Sequence, residues 1–123
     1  METMQGCIVR EIKFRAWNDK IFRYYPLGIN IPEINRFEIS QYTGLKDKND
    51  IGIYEEDIIK DNEYIFIVKY QAGGFVLSPI KYSKNDPYVG RQIVELQTAQ
   101  YIKESCEVIG NIYENKELLN DKF

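Results

Sequence analysis

The stretch from Gln41 to Lys60, QYTGLKDKNDIGIYEEDIIK, holds the densest run of aromatic, glycine and charged side chains in the sequence, and the reading of the fold starts there. Tyr42-Thr43-Gly44-Leu45 follows an alternating apolar run that ends at Ile39. Gly44 can take a positive φ that other residues resist, so a tight change of direction is expected at that point. Lys46-Asp47-Lys48-Asn49-Asp50 carries both charge signs and no apolar side chain, the pattern of a solvated loop. Ile53, Ile58 and Ile59 then surround the acidic triplet Glu55-Glu56-Asp57, as in a turn that feeds a strand. Asp57 just ahead of that strand, with Asp47 and Asn49 in the loop, are residues that accept hydrogen bonds from nearby amides and fix such turns.

Towards the N-terminus, Ile8, Ile12, Phe14 and Ala16 fall on one parity and Glu11, Lys13 and Arg15 on the other, which predicts a half-buried strand from Ile8 to Trp17. Asn18-Asp19 supplies turn chemistry, and Ile21 to Tyr25 returns as the second strand of a hairpin. Pro26, Gly28 and Pro32 give a loop over 26–35, followed by a strand from Arg36 to Ser40. Towards the C-terminus, Ile58 to Lys60 and Tyr64 to Tyr70 read as strands around the turn Asp61-Asn62-Glu63. Both faces of the second are mostly apolar, which places it mid-sheet or in a subunit contact. Ala72-Gly73-Gly74 turns the chain so that Phe75-Val76-Leu77 pairs back, and residues 78–92 read as irregular. Ile93 to Glu104 fits a helical face through Ile93, Leu96 and Gln97 and a strand through Val94, Leu96 and Thr98, with helix or a mixture preferred. Glu107 to Tyr113 is strand-like, and Asn115 is a helix cap for Lys116 to Leu119.

Three blocks carry a resemblance: Ile12 to Trp17 (IKFRAW), the central stretch just quoted, and Val108 to Asn115 (VIGNIYEN). Together they resemble the YopX family, small proteins encoded largely by bacteriophages and prophages, whose members typically carry QYTGLKDKNG followed closely by IYEGDIV. The matching positions are Gln41, Tyr42, Thr43, Gly44, Leu45, Asp47, Tyr54, Asp57, Gly110, Asn111, Tyr113 and Asn115, all read as structural. Departures are Asn49-Asp50 with Gly52 displaced, Glu56 in place of the family's glycine, and Lys116 where proline is usual. A Glu56 at positive φ would be strained. The resemblance implies a fold and a phage or prophage context, and no biochemical activity.

At 123 residues the chain makes one domain, with possible subdomains over 7–50 and 51–115. Ten tyrosines and a 14% aromatic content favour strands. The expected fold is mainly β, or β-rich α+β: an N-terminal hairpin region, a small SH3-like barrel and a short C-terminal helix. Hydrophobic residues at 44% and charged residues at 28% suit a folded soluble protein. With no basic start or apolar run before Gly6-Cys7, and no stretch long enough to span a bilayer, a cytoplasmic protein without membrane partners is expected. Cys7 and Cys106 are read as free thiols, a disulfide requiring that the termini meet.

Chemistry is scarce. The sequence contains no histidine, which removes the commonest general base and neutral metal ligand. Neither cysteine has a histidine partner, and no glycine spacing makes a phosphate loop. Glu55 and Asp57 fall on one side of an extended chain and would bind a divalent ion given a further oxygen ligand, although a solvated turn is the simpler reading. The best binding surface combines Lys13, Arg15 and Trp17 on one strand face with Arg23 and Tyr25 across from them. Such surfaces hold single-stranded nucleic acid or form protein interfaces, and a net charge of -3 without a basic patch favours the latter. No catalytic, cofactor-binding or metal site is assigned. The expected function is that of a non-enzymatic phage or prophage accessory protein that binds itself and an unidentified phage or host protein. A nucleic-acid-binding module is the alternative, and a metal-dependent enzyme at Glu55 and Asp57 ranks third.

Overall fold

The computed structural model describes residues 11–26, 38–62, 64–81, 87–93 and 95–120. Cys7 and its possible pairing with Cys106, the start of the first strand at Ile8, the loop beyond Pro26 and the residues Arg36 and Phe37 lie outside them.

Strands β1 (Lys13–Trp17) and β2 (Phe22–Pro26) form the expected hairpin. Its turn is built as the residue types suggest: Lys20 and Ile21 N–H groups donate to Asn18 Oδ1, each at 3.0 Å. Asp19 sits at φ 77°, a conformation that Asp tolerates better than most residues. Strand β3 (Glu38–Lys46) pairs with β1 on its other side and β4 (Gly52–Tyr54) completes an antiparallel sheet of order β2-β1-β3-β4. The expected reversal at Gly44 is a bulge instead. Gly44 does take φ 89°, but β3 runs on to Lys46, with Tyr42 opposite Tyr54 and Lys46 opposite Gly52, so β3 carries extra residues against β4. The chain reverses only at Asp47–Asp50.

A two-residue turn at Glu55 and Glu56 leads directly from β4 into β5 (Asp57–Lys60) of the second sheet. With β6 (Ile65–Gln71), β7 (Gly74–Lys81) and β8 (Glu107–Asn111) it forms an antiparallel sheet of order β7-β6-β5-β8. The fold is mainly β as read from composition, but the two sheets are not closed into a barrel. β6 is an internal strand, as its two apolar faces require. β7 continues through Pro79 to Lys81, so the irregular stretch begins later than Ser78. Proline is tolerated because β7 lies at the sheet edge. That edge is partly covered: Leu77 N–H donates to Arg91 O and Ile93 N–H to Phe75 O.

Helix α1 (Leu96–Ser105) resolves the ambiguity of the segment Ile93 to Glu104, and turns Thr98 and Ile102 inward. Ile102 joins Ile53, Ile59, Phe66, Val68, Phe75, Leu77, Ile93 and Cys106 in the core. Burying each large aliphatic or aromatic side chain stabilises the fold by about 1.5–3 kcal/mol relative to exposure. Burial also pushes the Cys106 thiol up to about 12, so it stays protonated and inert. The last of the described elements is a 3₁₀ helix, Lys116–Asn120.

Candidate functional site

A buried ion pair lies where the two sheets meet. Arg15 projects from β1 and is 4% exposed, and its guanidinium Nη2 donates at 2.8 Å to Asp57 Oδ1 at the start of β5. The same nitrogen donates to Glu55 O at 3.2 Å, and Tyr54 N–H donates to Asp57 Oδ2 at 2.8 Å. Burial raises the Asp57 carboxyl to about 6, while the Arg15 charge and the Tyr54 amide act in the other direction. Glu55 is also raised, chiefly by burial. Both Asp57 oxygens are thus engaged. Among the described residues no three acidic or cysteine side chains are grouped as metal ligands.

An aromatic cluster surrounds this pair. The Arg15 guanidinium lies 4.0 Å from the Phe22 ring centre and 4.8 Å from that of Tyr54, as expected for cations packed on ring faces. Tyr54 touches Tyr24 and Tyr42 edge-on or tilted, and Lys13 Nζ sits 4.6 Å above the Tyr42 ring. Burial, with a contribution from Tyr24, pushes the Tyr54 hydroxyl up to about 12.

The surface expected from Lys13, Arg15, Trp17, Arg23 and Tyr25 is therefore divided. The register pairs Arg15 with Tyr24 and Trp17 with Phe22, but Ala16 with Arg23 and Phe14 with Tyr25. Residues directly opposite point to the same side, so Arg23 and Tyr25 lie on the reverse face from Lys13, Arg15 and Trp17. Phe22, Tyr24, Glu38 and Ser40 share the Arg15 face, and sequence reasoning passed over them. The signal was the four-residue connection Asn18 to Ile21, which pairs odd with even positions.

The three sequence blocks converge here. Asp47 is 1% exposed: its Oδ1 accepts Asn49 and Ile51 N–H groups at 2.9 Å each, and its Oδ2 accepts Val108 N–H at 2.8 Å. Its residue number placed it in a solvated loop, and Lys46, Lys48, Asn49 and Asp50 around it are indeed exposed. Thr43 Oγ1 donates to Ile53 O and accepts Leu45 N–H across the bulge. Gln41 O accepts Glu55 N–H at 2.9 Å. Glu56, at φ 73°, donates its N–H to Val68 O, and its carbonyl accepts Ile112 N–H, with Lys69 at 3.1 Å from its carboxylate.

In the last block Asn111 Oδ1 accepts Tyr113 and Glu114 N–H groups, and its Nδ2 donates to Glu114 Oε1. Asn115 does not cap the following helix with its side chain. Its Oδ1 accepts Asn111 N–H at 3.1 Å, crossing above Gly110, where a Cβ would fall 2.4 Å from that oxygen. Only glycine permits that approach. Tyr113 then stacks on Trp17, with ring centres 5.8 Å apart.

No curated protein matches the chain. Among solved structures, the fold is similar to the crystal structure of protein EF1440 from Enterococcus faecalis, with a TM-score of 0.56 and 22% identity over 91% of this chain and 100% of that one. At that identity the likeness concerns the fold alone. Residues 16–120 match the family model described as YopX protein. That match covers the central and C-terminal blocks whose side chains bridge the two sheets, and the chain belongs to the YopX family.

Proposed function

We propose that this is a non-enzymatic accessory protein of a phage or prophage that works by binding, to copies of itself and to another phage or host protein, in the cytoplasm of a bacterial host. One observation carries the reading. Leu96, at the start of α1, is 83% exposed beside a groove of about 600 Å³ that Tyr42, Leu45 and Ala99 also line. A groove with an apolar floor and a polar rim, here Leu45, Leu96 and Ala99 beside Lys46, Gln100, Lys103 and Glu104, is the kind of surface that receives a partner. Arg15, Asp47 and Asp57 of the family blocks, by contrast, are turned inward and bonded to backbone or to each other. Among the described residues no helix is long and apolar enough to cross a membrane.

The nucleic-acid alternative loses its central cation, because the Arg15 guanidinium is buried against Asp57. The metal-enzyme reading loses a ligand for the same reason. Sedimentation equilibrium over a concentration series tests the proposal. Self-association that Leu96→Glu weakens supports it, and a monomer at every concentration contradicts it.

A further inference from the structure

We propose that the cleft between the N-terminal hairpin and the C-terminal 3₁₀ helix receives a cationic side chain, a lysine or arginine presented by the protein partner. This deepens the binding reading above and rests on it for the identity of the carrier.

The cleft encloses about 500 Å³ and is lined by Trp17, Asp19, Glu38, Tyr113, Lys116 and Leu119 among others. Its wall is aromatic: Trp17 and Tyr113 lie nearly parallel, at 22°. Its rim is acidic. Glu38 stands directly opposite Trp17 in the β1–β3 register, and Asp19 follows at the hairpin turn. Both carboxylates are exposed, and among the described residues neither has an ion pair and Lys116 is the one cation that lines the cleft. Ring faces attract cations, and carboxylates at the rim add charge-assisted hydrogen bonds. The same cluster already holds one guanidinium, since Phe22, which lies under Arg15, meets the Tyr113 ring edge-on. A second cation arriving from outside would meet the Trp17 and Tyr113 side of that cluster. An anionic occupant is disfavoured by two carboxylates against one amine, and a neutral apolar one would leave both carboxylates idle.

Trp17 is the sole tryptophan, so its fluorescence reports on the cleft without a label. Blocked Gly-Arg-Gly and Gly-Lys-Gly peptides, titrated at low ionic strength, should produce a saturable change that salt diminishes. Blocked Gly-Glu-Gly and Gly-Leu-Gly should not. The paired change Asp19→Asn with Glu38→Gln should weaken the arginine response roughly tenfold, and Lys116→Gln should strengthen it roughly twofold. Circular dichroism checks that each variant is folded; if the paired variant is not, Lys116→Gln carries the test. Equal responses to glutamate and arginine peptides, or unchanged affinity in the folded variants, overturn the proposal. A response to oligothymidylate in place of the peptides overturns it in favour of base stacking. Sedimentation is read separately: loss of the peptide response with self-association intact removes this site alone, and loss of both removes the binding reading with it.

Discussion

The two sheets are held by different forces. In the second, Ile59, Phe66, Val68 and Leu77 are fully buried beneath α1 and need only to be apolar and of the right volume. The first shares that core through Ile53 of β4, and meets the second sheet also through Arg15, stacked on Phe22 and Tyr54 and bonded to Asp57. Apolar burial has no preferred direction, whereas a guanidinium and a carboxylate must face each other. The second sheet therefore supplies most of the apolar core, and the joint adds direction to how the first sheet sits on it.

Removing one side of the joint should have the largest effect. Asp57→Ala strands a buried guanidinium and the Tyr54 amide, and should cost about 3–5 kcal/mol in urea unfolding. The pH dependence should come next. Asp57 titrates at about 6 in the folded protein against 3.8 for the free side chain, so between those values the folded state holds the extra proton. Its contribution to stability then rises as pH falls from 7 towards 4 and is lost as pH rises through 6. Asp57→Asn should flatten that part of a stability-against-pH curve.

Asp47→Ala leaves three amides without their acceptor and should cost about 1–3 kcal/mol, with hydrogen exchange at Val108 accelerating most. Glu56→Gly tests the sign of a backbone effect. It relieves a left-handed φ at the loss of a partly exposed ion pair with Lys69, and should raise stability by about 1 kcal/mol, read as a higher midpoint in thermal melts.

The sequence revealed the second sheet more readily than the joint, for a physical reason. Alternation within Tyr64 to Tyr70 reports local burial, and β6 lies inside its sheet accordingly. The turn roles of Asp47 and Asp57 and the strain at Glu56 also follow from nearby residues. Arg15 and Asp57 are partners across 42 positions, and alternation alone placed Arg15 with the charged side chains facing water. β3 was obscured because its buried positions include Ser40 and Thr43, and its glycine resembled a turn rather than a bulge. α1 was faint because just Thr98 and Ile102 of its residues are buried, while Leu96 faces outward. The surface drawn around Arg15 and Arg23 failed at register, which a parity argument within one strand does not contain.

A double-mutant cycle on Arg15→Met and Asp57→Leu, with stability read from Trp17 fluorescence and far-ultraviolet circular dichroism, tests the joint most directly. Each single change should be strongly destabilising, and the double variant should recover much of the loss, giving a coupling of about 2–3 kcal/mol. Effects that add to within about 0.5 kcal/mol would contradict the account, showing that the two sheets are aligned by something other than this pair.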